Sequence, residues 1–90
     1  MTNDLEIRRK RLKYRSRHRG TKELDLLLGA FATRHLDAMS AAEIDRYEAI
    51  LEADEHAIYG WLTGRAPVPA EHDNEVMAKL LGFEFQKTLP

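Results

Sequence analysis

No cysteine occurs among the 90 residues, which excludes disulfides and thiolate metal sites. Because small secreted domains usually rely on disulfide staples, the expected compartment is a reducing one such as a cytoplasm. Serine is nearly missing as well: only Ser16 and Ser40 are present, neither in a glycine-flanked elbow, so no serine nucleophile is expected. The four histidines, His18, His35, His56 and His72, form no i, i+4 pair that would start a zinc site. Long apolar runs are absent: no stretch approaches the ~18 residues that span a bilayer, and no secretory core follows the basic start. That arginine-rich start invites comparison with a mitochondrial transit leader, against which Asp4, Glu6 and the scarcity of serine argue. The segment Gly20–Lys22 lacks the glycines of a phosphate-cradling loop. An enzyme acting through its own residues is therefore not expected.

What the chain does have is charge, unevenly placed. The formal total is −1. Up to Lys22 nine bases face two acids, a local charge of +7, and from Glu23 onward five bases face thirteen acids, a local charge of −8. Such a dipolar chain can attract an acidic partner or fold back on itself.

Ninety residues are too few for two independent cores, so one domain over 1–90 is expected. Apolar spacing is helical throughout, with no period-2 run bounded by turn residues, and the fold class expected is all-α, a compact five-helix bundle. A basic helix over about 4–19 opens on a capping box of Asn3 with Glu6 and closes at Gly20. Its Leu5 and Leu12 lie nearly opposite Ile7 and Tyr14, leaving a thin apolar strip and much exposed surface. A bundle core over about 21–85 follows, then a short tail, 86–90. Within the core, Leu24, Leu27, Leu28, Phe31, Ala32 and Leu36 form the stripe of a second helix over about Thr21–Ala38. Ser40 with Glu43 is a capping box, Met39 with Ile44 a hydrophobic staple, and Ile44, Tyr47, Ile50 and Leu51 the buried face of a third helix. Asp54 caps a short fourth helix burying Ile58, Trp61 and Leu62 and ended by Gly64. Pro67 and Pro69 impose an extended link. A last helix, about Glu71–Phe85, buries Val76, Met77, Leu80, Leu81 and Phe83. Short links predict packing between chain neighbours, mostly antiparallel. His35 falls in phase with Phe31 and Ala32 and is expected partly buried.

Nine bases within fifteen positions can neutralise several phosphates, so a small nucleic-acid-binding module is one reading of the first helix. Against it, the bases surround the helix, aromatic interleaving stops at Tyr14, and the remaining chain is acidic. A plain solvated helix is a second reading. The junction Arg19-Gly20-Thr21-Lys22-Glu23 places a glycine able to adopt positive φ between two helices, with Arg19 and Glu23 flanking the corner, either as a corner ion pair or as an interaction site.

Arg19-Gly20-x-x-Glu23 after a basic helix, followed by Leu24-Asp25, resembles the hallmark of the FAD assembly factors of succinate dehydrogenase. The resemblance runs from Arg8 to Phe85. It takes in Tyr14-Arg15-Ser16-Arg17, Tyr47-Glu48-Ala49-Ile50-Leu51-Glu52, Asp54 leading to Ile58-Tyr59-Gly60-Trp61-Leu62, and the Pro67-Val68-Pro69 link of alphaproteobacterial members, with His18 where some relatives have arginine. It implies a five-helix, non-enzymatic assembly factor, without a cofactor of its own or a nucleic-acid partner. Such a factor binds the flavoprotein subunit of succinate dehydrogenase, with fumarate reductase flavoproteins as further clients, and promotes covalent attachment of FAD to a client histidine. The reacting groups belong to client and FAD, so the factor's contribution is to hold the client in the productive conformation. On this resemblance Arg19, Gly20 and Glu23 form the partner-binding corner with Asp25 beside them, and Arg8, Arg11, Arg15 and Arg17 support the interface electrostatically.

Overall fold

The computed structural model describes residues 4–83. Five α-helices form, α1 (Asp4–Arg17), α2 (Lys22–His35), α3 (Ala41–Leu51), α4 (Glu55–Leu62) and α5 (Glu75–Leu81), with 3₁₀ turns at Leu36–Ala38 and Ala70–His72. No strand occurs among the described residues. The all-α expectation holds.

Helix α1 carries acids in its first turn and bases in its last, matching the helix dipole. Its buried strip is as thin as expected: Leu12 and Ser16 are fully buried, Leu5 is partly covered, and Tyr14 is 65% exposed. It stops at Arg17, short of the expected 19, because the Arg19 amide donates to the Asp25 carboxylate instead of continuing the helical ladder. Helix α2 likewise begins one residue late, since Thr21 is extended, and its last turn tightens into the 3₁₀ turn at Leu36. Asn3 and the expected terminus at Phe85 lie outside the described residues.

The third helix starts as predicted. The Glu43 amide donates to Ser40 Oγ at 3.2 Å, and Glu43 Oε1 accepts from the Ser40 amide at 3.0 Å. That backbone bond, with the nearby Lys79 ammonium, holds the Glu43 carboxyl below its ordinary value. Asp54 caps α4 by accepting from the His56 amide, and Gly64 beyond it has φ +74°. The last helix departs from expectation at both ends. Residues 71 and 72 sit in a 3₁₀ turn, and α5 begins only at Glu75, because Asn74 accepts from the amides of Val76 and Met77. With that phase Val76, Met77 and Leu80 face inward, whereas Leu81, expected buried, is 50% exposed.

The core gathers around Tyr47, whose ring stacks on Phe31 at 5.5 Å, while Phe83 meets Phe31 edge-on. His35 is partly buried against Phe31 and Phe83, and this burial lowers its pKa, helped by Lys79 and Arg34. Helix α1 lies against both α2 and α3, and α3 lies against α5. Chain neighbours pack in α1 with α2 and, through the Phe31–Tyr47 stack, in α2 with α3, whereas α1 with α3 and α3 with α5 pack across the chain order.

Candidate functional site

The chain reverses between α1 and α2 at Gly20, whose φ is +102°. Nothing lies within 4 Å of the place a Cβ would occupy. Glycine is thus required by backbone conformation, not by space. Asp25 closes the corner: its Oδ1 accepts from the Arg19 amide at 2.6 Å, and its own amide donates to the Thr21 carbonyl at 2.9 Å.

The motif's two charged residues do not pair with each other. The Arg19 side chain turns inward and is only 8% exposed. Its Nη1 donates to the Leu51 carbonyl at 2.6 Å, and its Nη2 donates to the Ala53 carbonyl at 3.0 Å and to Glu55 Oε1 at 3.4 Å. Leu51 ends α3 and Glu55 starts α4. The final carbonyls of a helix lack intrahelical donors and carry the negative end of its dipole, so a guanidinium there is doubly favourable. Glu23, in contrast, is exposed on the first turn of α2. It stands where two surface depressions meet, one bordered by Glu55, His56 and Arg65, the other by Leu27, Leu62 and Leu81, with Tyr59 common to both.

Three of the seven bases of α1 pair with carboxylates of the acidic remainder, the folding back that the charge split allowed. Arg8 contacts Asp45 at 2.6 Å and Glu48 at 3.1 Å, bonds that raise its pKa above the ordinary value. Arg15 reaches Glu48 and Glu52 at 3.8 and 3.2 Å, and Lys13 pairs with Asp37, depressing that carboxyl. Arg17 lies across α2, donating to Thr33 Oγ1 at 2.5 Å, while Arg11 is exposed.

Three structural determinants escaped the sequence reading. Arg9 donates to the Leu36 and Met39 carbonyls at 3.0 and 2.5 Å, clasping the end of α2 as Arg19 clasps the end of α3. Ser16 Oγ donates to the Leu12 carbonyl at 2.7 Å and so accepts from the Tyr47 hydroxyl at 2.6 Å. Burial pushes the Tyr47 phenol above its ordinary value, with the Ser16 bond and nearby arginines pulling the other way. Gly29, mid-helix and buried, leaves room for the stem of Arg17: an added Cβ would stand 2.9 Å from Arg17 Cγ. Arg9 has no local signal, but Ser16 falls in register with Leu5 and Leu12, and a glycine inside a helix pattern points to close approach.

Among the described residues no group of His, Cys, Asp and Glu is placed to hold a metal ion, and no helix is long and apolar enough to cross a membrane. Residues 10–84 match a protein-family model described as the flavinator of succinate dehydrogenase. Among curated proteins, the chain is 39% identical over 79 residues to the FAD assembly factor SdhE of Acetobacter pasteurianus, covering 88% of this chain and 72% of that protein. It is 41% identical over 78 residues to the mitochondrial succinate dehydrogenase assembly factor 2 of Aedes aegypti, covering 84% of this chain and 48% of that protein. The factor of the same name from Candida glabrata is 40% identical over 91 residues, covering 97% of this chain and 60% of that protein. The chain therefore spans about half to three fifths of these two mitochondrial relatives.

Proposed function

The chain belongs to the family of flavinators of succinate dehydrogenase, and from that premise we propose that it binds the flavoprotein subunit of succinate dehydrogenase and promotes covalent attachment of FAD to it. The observation that carries this reading is the match over residues 10–84, joined to a motif whose glutamate is exposed at a glycine-dependent corner. The role is non-catalytic. FAD is held by the client and the bond forms between client and FAD groups, while this chain's residues dock on the client and restrict its conformation. It carries no cofactor of its own on this reading, works in the cytoplasm of a bacterium, and also serves fumarate reductase flavoproteins.

Glu23 supplies a charge-assisted contact to the client, Gly20 holds the turn that presents it, and Asp25 keeps that turn closed. Arg11, exposed, contributes long-range attraction, with Arg8, Arg15 and Arg17 contributing what their internal partners leave unscreened. Nothing favours the nucleic-acid reading, since Arg8, Lys13 and Arg15 already face carboxylates that would repel phosphate. Co-expression of the flavoprotein with the chain, in cells lacking any such factor, should raise the covalent flavin fluorescence of the flavoprotein band in a denaturing gel. Gly20→Arg and Glu23→Ala should abolish that gain. Fluorescence independent of the chain would contradict the proposal.

A further inference from the structure

We infer that Arg19 is a positioning residue: it fixes the glycine corner from inside by clasping the end of α3 and the start of α4, and leaves contact with the client to Glu23. Three observations carry this. The guanidinium is buried and engaged with two backbone carbonyls and one carboxylate, drawn from a segment more than thirty residues away. Its Nε is buried too, with no partner among the described residues, so that donor is not presented to the surface. The main chain of the same residue donates to Asp25, so the head of Arg19 anchors to the bundle the very backbone that leads into Gly20.

A guanidinium suits this place because its donors lie in a fixed fork that can meet several acceptors at once; a lysine ammonium is a single point on a flexible stem. Release of the fork would free the 18–21 segment from the junction of α3 and α4, leaving the turn to the two Asp25 bonds and to the local contacts of His18 with Arg15 and Tyr14. Glu23 would then keep its charge and lose its fixed position. A contact residue and a positioning residue thus share one short motif, one facing out and one facing in.

This inference rests on the proposed function only for what the corner is for; the clasp is tested in the free protein. Amide hydrogen exchange, resolved by residue, should rise at least tenfold at Gly20–Asp25 and at Ala53–Glu55 in Arg19→Ala, while amides in the middle of α3 change far less. Arg19→Lys should loosen the same amides, and Glu23→Gln should leave them as in the wild type. Should Arg19→Ala fail to fold, Arg19→Lys carries the test alone. With purified flavoprotein subunit, both Arg19 variants should weaken binding while the salt dependence of affinity stays that of the wild type. A corner protected as in the wild type, with binding lost in Arg19→Ala and restored in Arg19→Lys, would overturn the inference and make Arg19 a direct charge contact. If the corner loosens but the wild-type chain binds no flavoprotein, the proposed function falls and the clasp stands.

Discussion

Helices α1 and α3 lie side by side and are held by opposite means. Helix α3 buries Ile44, Tyr47, Ile50 and Leu51 almost completely, and each such side chain contributes about 1.5–3 kcal/mol through removal of apolar surface from water. Helix α1 buries one apolar side chain, Leu12, and a hydroxyl. Among the described residues, much of its remaining attachment is arginine and lysine reaching carbonyls, carboxylates and a hydroxyl on its neighbours, with Leu5 partly covered. Exposed ion pairs contribute little, about 0–1 kcal/mol each. The difference teaches where adaptability sits: α3 is the anchor, and α1 with its following corner is strapped to it mainly by polar contacts, solvent-reachable ion pairs along α1 and the buried Arg19 clasp at the corner. The proposed docking residues belong to the strapped part, consistent with the general tendency of binding segments to come from the less stable end of a fold.

The joint between the two plans is the Ser16–Tyr47 bond, and breaking it should have the largest effect. Ser16→Ala leaves the Tyr47 hydroxyl buried without a partner, at a cost of about 1–3 kcal/mol in chemical denaturation. Tyr47→Phe should cost less, because Ser16 keeps its bond to the Leu12 carbonyl. If the two cost the same, the bond is not the joint described.

The second effect reverses sign with context. Gly29→Ala alone should destabilise by about 1 kcal/mol, since the crowded Arg17 Cγ lies near the backbone and cannot swing clear. In an Arg17→Ala background the nearest atoms stand at 3.8 Å, and the same change should stabilise by up to ~1 kcal/mol through helix propensity. A double-mutant cycle on melting measures both arms.

Arg8→Gln and Arg15→Gln should cost less again at low salt, and the loss should vanish near 1 M salt, where the Debye length is ~3 Å. Persistence at high salt would mean that α1 is held by packing after all.

The smallest effect concerns pH. His35 has a folded pKa below its ordinary value of 6.5, chiefly from burial and then from Lys79 and Arg34. Protonation therefore favours the unfolded chain: stability is full above 6.5 and declines as pH falls from 6.5 through the folded value. Melting followed over pH should show this step in the wild type and lose it in His35→Gln. The carboxylate contributions of Asp37 and Glu43 are lost separately, below their ordinary values of 3.8 and 4.5.

Local signals made much of this readable from the sequence. The stripe Leu24–Leu36, the Ser40–Glu43 capping box and the turn glycines Gly20 and Gly64 each depend on residues a few positions apart, and each stands where expected. The Arg19-Gly20-x-x-Glu23 motif, equally local, pointed to the family whose model matches residues 10–84. What spacing could not reveal is long-range: Arg19 reaching Leu51, Arg9 reaching Leu36, and Ser16 meeting Tyr47. A local competition decided the start of α5, where the Asn74 cap outweighed the helical pattern beginning near Glu71. The charge split of +7 and −8 pointed to self-association of the two halves or to an acidic partner, and only the fold decides in favour of the former for Arg8, Lys13 and Arg15.

The central claim is that an exposed Glu23, held at a fixed corner, helps a flavoprotein subunit acquire covalent FAD. Purified apo subunit of succinate dehydrogenase, incubated with FAD and followed by flavin fluorescence in denaturing gels, tests it directly. The wild-type chain should accelerate covalent attachment by about tenfold or more, and Glu23→Gln, folded and melting as the wild type does, should leave the rate near that without the chain. A Glu23→Gln chain as effective as the wild type, or a wild-type chain without effect, would contradict the account.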